Sequence, residues 1–84
     1  MKKTYAVLRS YEDKMLPVLN HTIVLTVYED SGRAFEAACL LNYKERLRRK
    51  EYEQKYKKEP DEKWHYYVNI VDLVESDEAI KNGD

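Results

Sequence analysis

Cysteine and glycine are scarce in this sequence of 84 residues, and each scarcity excludes a class of structure or function. The single cysteine, Cys39, has no partner for an internal disulfide, so the sequence predicts a protein of the reducing cytoplasm. The two glycines, Gly32 and Gly83, are too few for a glycine-rich phosphate-binding loop. Long apolar runs are also absent and the mean hydropathy is -0.83, so we expect no membrane contact.

Histidine and cysteine are equally few, and the many carboxylates include no pair whose apolar setting marks a general acid and base. The two histidines, His21 and His65, each open a predicted strand, and neither has a second ligand at the short spacing of a zinc site. Cys39 falls in the apolar half of a predicted helix, where we expect it to pack as a small hydrophobic residue. Asp72 interrupts an apolar run, and we expect it to point outward. The sequence therefore predicts no enzyme, no metal and no cofactor.

Hydrophobic periodicity predicts the order strand, strand, helix, strand. Three segments alternate apolar and polar residues as strands do: 4–10, 21–28 and 64–74. A helix is predicted from Arg33 to about Lys57, because nothing interrupts it before Pro60. Asp30 or Ser31 can cap its first turn.

Two segments lie outside these elements. Residues 11–20 connect the first two strands, and they are too apolar for a fully solvated loop, so we expect them to fold back over an edge of the core. Residues 75–84 are acidic and form a tail. The prediction is a single ββαβ domain over 1–74 followed by the acidic tail 75–84.

The element order predicts an α+β fold, a small three-stranded sheet with one long helix packed on one face. Two topologies fit: strand one central and antiparallel to both neighbours, or strand three parallel beside strand two. We favour the first, because antiparallel pairing is easier in a small sheet. A helix of about 37 Å exceeds strands of about 25 Å, so its charged end should project beyond the sheet.

The charged half of the helix is the first predicted contact surface. Residues 44–58 contain eight Lys/Arg and three Glu, whereas 59–84 contain two Lys and eight acidic residues. One interpretation is an exposed helix stabilised by the ion pairs Glu45–Arg49, Glu51–Lys55 and Glu53–Lys57. The other is a protein-binding surface, since arginine and tyrosine are frequent interface anchors. Its candidate residues are Tyr43, Arg46, Arg49, Lys50, Tyr52, Tyr56 and Lys57.

The second predicted contact surface is the sheet face opposite the helix. If Ile23, Leu25 and Val27 face the helix, the other side exposes the apolar side chains of Tyr5, Val7, Val24 and Tyr28. A patch of that kind usually marks a contact, so we expect a partner or a second copy there. The alternative is an internal cover from residues 11–20 or from the tail. A homodimer through this face or through an edge strand is a further expectation.

Three functions fit these observations: a non-catalytic protein-binding module, which we favour, a nucleic-acid-binding protein using the basic helix 44–58, and a small-molecule or nucleotide binder. Interspersed glutamates, the acidic tail and a pI near 6.1 argue against nucleic acid. A short, tyrosine-rich, charge-segregated chain of this kind resembles in composition the small accessory proteins of bacteriophages and mobile elements, which include anti-CRISPR proteins. That resemblance implies an inhibitor of a host defence complex, and it carries over no site residue.

Overall fold

The computed structural model describes residues 2–73, which form a three-stranded sheet and one long helix. The elements are β1 (Lys2–Asp13), a short 3-10 turn (Pro17–Leu19), β2 (His21–Tyr28), α1 (Ser31–Tyr56) and β3 (Glu62–Leu73). The predicted α+β fold is confirmed. The tail at 75–84 lies outside the described residues.

β1 is the central strand of the sheet, which has the order β2-β1-β3 with both pairs antiparallel. This is the topology that we favoured from the sequence. The β1–β2 register shifts between Val7 and Leu8, where β2 inserts Leu25 as an extra residue. The insertion is a β-bulge, which bends an edge strand and increases its twist.

β1 and β3 are longer than their hydrophobic alternation predicted. β1 covers 2–13 rather than 4–10, and β3 begins at Glu62 rather than Trp64. Charged residues occupy the added ends, and the register places opposite charges across from each other at Lys3–Asp72 and Glu12–Lys63. Such cross-strand pairs stabilise a sheet, so the strands continue beyond their apolar alternation.

α1 begins two residues before the predicted Arg33 and ends at Tyr56, next to the predicted Lys57. The Asp30 side chain accepts a hydrogen bond from the Gly32 N–H at 2.8 Å and caps the first turn. Lys57 caps the last turn, with its N–H bonded to the Glu53 carbonyl. Arg48 contacts Glu62, the first residue of β3, and Tyr52 lines a cleft with Pro60 and Glu62, so the last turn of α1, after Tyr52, extends past the end of the sheet. The projection is confirmed, although longer strands make it shorter than expected.

The core lies between α1 and one face of the sheet, and it is small. Val7, Ala34 and Ala38 are buried at its centre, and the partly buried side chains around them are Tyr5, Tyr28, Ala37, Leu41, Tyr66 and Val68. The predicted face is therefore wrong for Tyr5, Val7 and Tyr28, which face the helix rather than solvent. Before the bulge in β2, Ile23 and Val24 lie on the faces predicted for them. Both sheet faces are apolar, and periodicity alone does not distinguish them. The small alanines of α1 bring the helix close to the tyrosine-bearing face.

Lys57 is the one non-glycine residue with a left-handed backbone in the described part of the chain, at φ 60. An L side chain is strained in that conformation, whereas glycine is not. We expect Lys57→Gly to raise the free energy of unfolding by about 0.5–1 kcal/mol, measured by urea titration. Lys58→Gly is the matched control and should give no gain. Equal effects of both substitutions would contradict the strain at Lys57.

Candidate functional site

The outer edge of β3 is closed by side chains of α1. Asn42 makes two hydrogen bonds to Tyr66, donating from Nδ2 to its carbonyl at 2.8 Å and accepting at Oδ1 from its N–H at 2.9 Å. These are the bonds that a neighbouring strand would make. One amide side chain thus replaces a strand at this point of the edge.

The same edge is closed further along by a buried cluster around Glu45, which is 4% exposed. Its carboxylate accepts from the Trp64 N–H at 2.7 Å and from Arg48 Nε at 2.5 Å. Arg48 also donates to the Glu62 carbonyl at 2.8 Å, and its guanidinium lies 4.3 Å from the centre of the Trp64 ring. Arg49 lies 3.4 Å from the Glu45 carboxylate and donates to the Trp64 carbonyl. The cluster therefore fastens α1 to β3.

Burial by itself would raise the pKa of the Glu45 carboxyl. Hydrogen bonds from Arg48 and the Trp64 amide, together with the charges of Arg48 and Arg49, outweigh burial and hold this pKa below its ordinary value. The hydrogen bond to Glu45 raises the pKa of Arg48 in turn. Glu45 is thus a permanent anion at neutral pH, and the predicted Glu45–Arg49 ion pair is confirmed.

The outer edge of β2 has no strand partner within residues 2–73. Its sequence, His-Thr-Ile-Val-Leu-Thr-Val-Tyr, contains no Lys, Arg, Asp or Glu and no proline. The side chains of Val24 and Val27 are more than half exposed, and Ile23 and Leu25 are exposed as well. Proteins usually protect such edges with charged residues or proline. The unprotected edge of β2 therefore has backbone groups that another strand can pair with.

An exposed apolar loop precedes β2, over Lys14–Asn20. Asp13 fixes it: Oδ1 accepts from the N–H groups of Met15 and Leu16, both at 2.9 Å, and the Asp13 N–H donates to Asn20 Oδ1 at 2.7 Å. The Leu16 amide holds the pKa of the Asp13 carboxyl below its ordinary value. Val18 is 88% exposed. The loop does not cover the core as we had predicted, because these bonds turn its side chains into solvent.

The predicted partner-binding residues of α1 divide between solvent and internal contacts. Five are exposed: Tyr43, Arg46, Lys50, Tyr56 and Lys57. Tyr52 is half-buried and its ring centre lies 4.5 Å from that of Tyr56. Arg49 is half-buried and bound to Glu45 and Trp64, so its guanidinium is already engaged.

The second predicted surface is rearranged by the reversed sheet faces. Val7 is fully buried, Tyr5 and Tyr28 pack against it, and only Val24 is exposed. Cys39, predicted to be buried, is exposed on α1, whereas Asp72 is exposed as expected. Sequence reasoning missed Asn42 and Glu45. For Glu45 the sequence contained one indication, its position: it continues the buried stripe of Ala34, Ala38 and Leu41.

Within residues 2–73, no group of three His, Cys, Asp or Glu side chains is arranged to hold a metal ion. No described helix combines the length and the hydropathy needed to cross a membrane. Comparison with protein-family models, curated proteins and solved structures finds no match to this chain.

The Glu45 cluster predicts a specific loss of stability. In Glu45→Gln an amide oxygen can still accept from Trp64, but the charges of Arg48 and Arg49 are no longer balanced, so we expect unfolding to cost about 1–3 kcal/mol less at pH 7. Glu51→Gln, an exposed substitution on the same helix, is the control and should change little.

The pH dependence follows from the lowered pKa of Glu45. Its contribution to stability is fully present above the unfolded pKa, near 4.5, and is lost as the pH falls through the lower folded value. Denaturant titrations from neutral to acid pH should therefore show the stability difference between wild type and Glu45→Gln shrinking below pH 4.5. A difference that stayed constant to acid pH would contradict the assignment.

Proposed function

We propose that this chain is a non-catalytic protein-binding module whose main contact surface is the open edge of β2 together with the loop Lys14–Asn20. The observation that carries the proposal is the asymmetry of the two sheet edges. α1 closes the β3 edge over residues 62–66 with side-chain hydrogen bonds. The β2 edge has no such cover from residues 2–73 and carries no Lys, Arg, Asp or Glu side chain.

The distribution of apolar surface supports a protein partner. Val7 is the one fully buried side chain larger than alanine in the described residues. The large hydrophobic side chains of the β2–loop surface are all exposed: Met15, Leu16, Val18, Leu19, Ile23, Val24, Leu25 and Val27. Fully burying one side chain of this size is worth about 1.5–3 kcal/mol, so a partner that covered several of them would gain enough to bind stably.

The chemistry of the edge indicates what kind of partner it fits. A strand edge offers backbone N–H and C=O groups, and an extended segment of another protein can satisfy them by strand addition. β2 has no charged side chain that would oppose or require a charge on that segment. The partner segment that we propose is therefore extended, apolar and uncharged, with further apolar side chains that meet the loop.

The projecting end of α1 supplies a second contact area in this proposal. Tyr56 and Lys57 are exposed at this end, and Arg46 and Lys50 are exposed along the helix before it. An acidic surface on the partner would complement these charges and increase the association rate more than the affinity. Catalysis has no part in the proposal.

Nucleic-acid binding by residues 44–58 is the alternative that the structure favours less. Arg48 and Arg49 are engaged with Glu45 and with the β3 backbone, so they are not available for phosphates. If DNA or RNA bound the remaining lysines, its affinity would fall steeply with salt concentration. A small-molecule or nucleotide ligand has no specific observation in its favour.

The compositional resemblance to phage accessory proteins narrows the proposed class to an inhibitor that occupies a surface of a host complex, as an anti-CRISPR-like protein does. An apolar edge on a small charged domain suits that role, since inhibition by occupancy needs affinity and no reactive group. The partner's identity is open to experiment.

Capture from bacterial lysates, followed by mass spectrometry, tests the surface. We expect one protein or complex to be retained by wild type and by Arg46→Ala, and lost with Val24→Lys and with Val18→Asp. Val24 and Val18 are exposed, so their substitution should leave the far-UV circular dichroism spectrum unchanged. If all four proteins retain the same partners, the β2–loop surface is not the binding site. If Arg46→Ala alone loses the partner, the basic helix is.

A further inference from the structure

α1 carries an apolar stripe that the sheet does not cover. Leu40, Tyr43 and Leu47 are 54%, 51% and 43% exposed. They are separated by three and four residues, which places them on one side of a helix. Asn42 and Glu45, which bind β3, lie on the other side. This outer stripe is separate from the β2–loop surface of the proposed function.

The spacing of the outer stripe is that of a helix-pairing seam. Apolar residues three and four apart form the a and d positions at which two helices interlock side chains. The apolar residues of so short a seam fit many helices. The charged residues beside it therefore identify the partner helix and its orientation.

We propose that a second copy of this chain packs against the outer stripe with its helix antiparallel, about a two-fold axis beside Tyr43. Glu36 lies seven residues before Tyr43 and Lys50 seven residues after it. An antiparallel two-fold pairing therefore places Glu36 of each copy level with Lys50 of the other.

The charge pattern also selects the orientation. Both charged side chains are exposed, so each can reach a residue of a neighbouring helix. In a parallel pair Glu36 would face Glu36 and Lys50 would face Lys50, and like charges at a helix interface are unfavourable. In the antiparallel pair each of these two residues faces an opposite charge. Because a two-fold axis repeats each contact, the dimer contains two Glu36–Lys50 ion pairs.

The arrangement leaves the sheet edges unchanged. The outer stripe points away from the hydrogen bonds between α1 and β3, so pairing requires no rearrangement of the Glu45 cluster. The two β2 edges of the dimer remain open, and the module becomes bivalent for a partner that carries two suitable segments. The dimer itself does not depend on whether the β2 edge binds another protein.

A charge-swap experiment tests the inference by sedimentation equilibrium at ~50 mM salt, where exposed charges are weakly screened. Wild type should reach twice the 10.1 kDa monomer mass with rising concentration. In either single variant, Glu36→Lys or Lys50→Glu, like charges lie opposite each other at two places in the dimer. Each substitution should therefore raise the dimer dissociation constant roughly tenfold. The double variant should restore it, and an equimolar mixture of the two single variants should form a heterodimer.

Two controls separate this interface from others. Val24→Lys should leave dimerisation unchanged, because β2 is outside the outer stripe, and far-UV circular dichroism should show the same fold for every variant. A wild type that stays at the monomer mass overturns the proposal. So does a dimer that tolerates both single charge changes, or one that Val24→Lys abolishes, which would place the contact at the β2 edge instead.

Discussion

The buried carboxylate of Glu45 is the interaction on which the arrangement of helix and sheet depends. It balances two arginines and binds the backbone of β3, so it joins an ion pair and an edge hydrogen bond in one group. The apolar contact between α1 and the sheet is centred on two alanines and one valine, which bury little area. Polar contacts from Asn42, Glu45 and Arg48 therefore set where the helix lies along β3.

This arrangement makes the two edges of the sheet chemically different. Side chains of α1 take the place of a fourth strand beside β3, so a partner strand is excluded from residues 62–66. β2 keeps its backbone groups and apolar side chains available. The difference follows from the chain connection: α1 leaves β2, crosses the face over Val7 and reaches the far edge at Tyr66, and nothing in that path returns to β2.

The sequence was sufficient for the fold and less so for the surface. β2 and α1 were predicted nearly to the residue, because β-branched alternation and an uninterrupted helix between a cap and a proline are strong local signals. The sheet faces were reversed for β1 and for the end of β2, because both faces are apolar, whereas before the bulge at Leu25 the alternation of β2 was predicted correctly. Glu45 was assigned to the helix surface. A carboxylate can be buried only when charges and hydrogen bonds compensate it, here two arginines and the Trp64 amide, and Trp64 is distant in sequence.

The projecting end of α1 was predicted by comparing the length of the helix with the lengths of the strands, and the strand lengths were underestimated. Charged residues at both ends of β1 and β3 pair across the strands, which a search for apolar alternation does not detect. The exposed loop before β2 was missed for a related reason. Its composition is that of a core segment, and only the hydrogen bonds from Asp13 show that it is held outward.

The small core has a thermal consequence. The heat capacity change of unfolding rises with the apolar area that becomes hydrated and falls with the polar area, and typical domains give about 12–15 cal/mol/K per residue. A fold held by one valine, two alanines and many polar contacts exposes little new apolar area when it melts. Its free energy of unfolding should therefore change little with temperature, and the plot of this free energy against temperature should have a broad maximum.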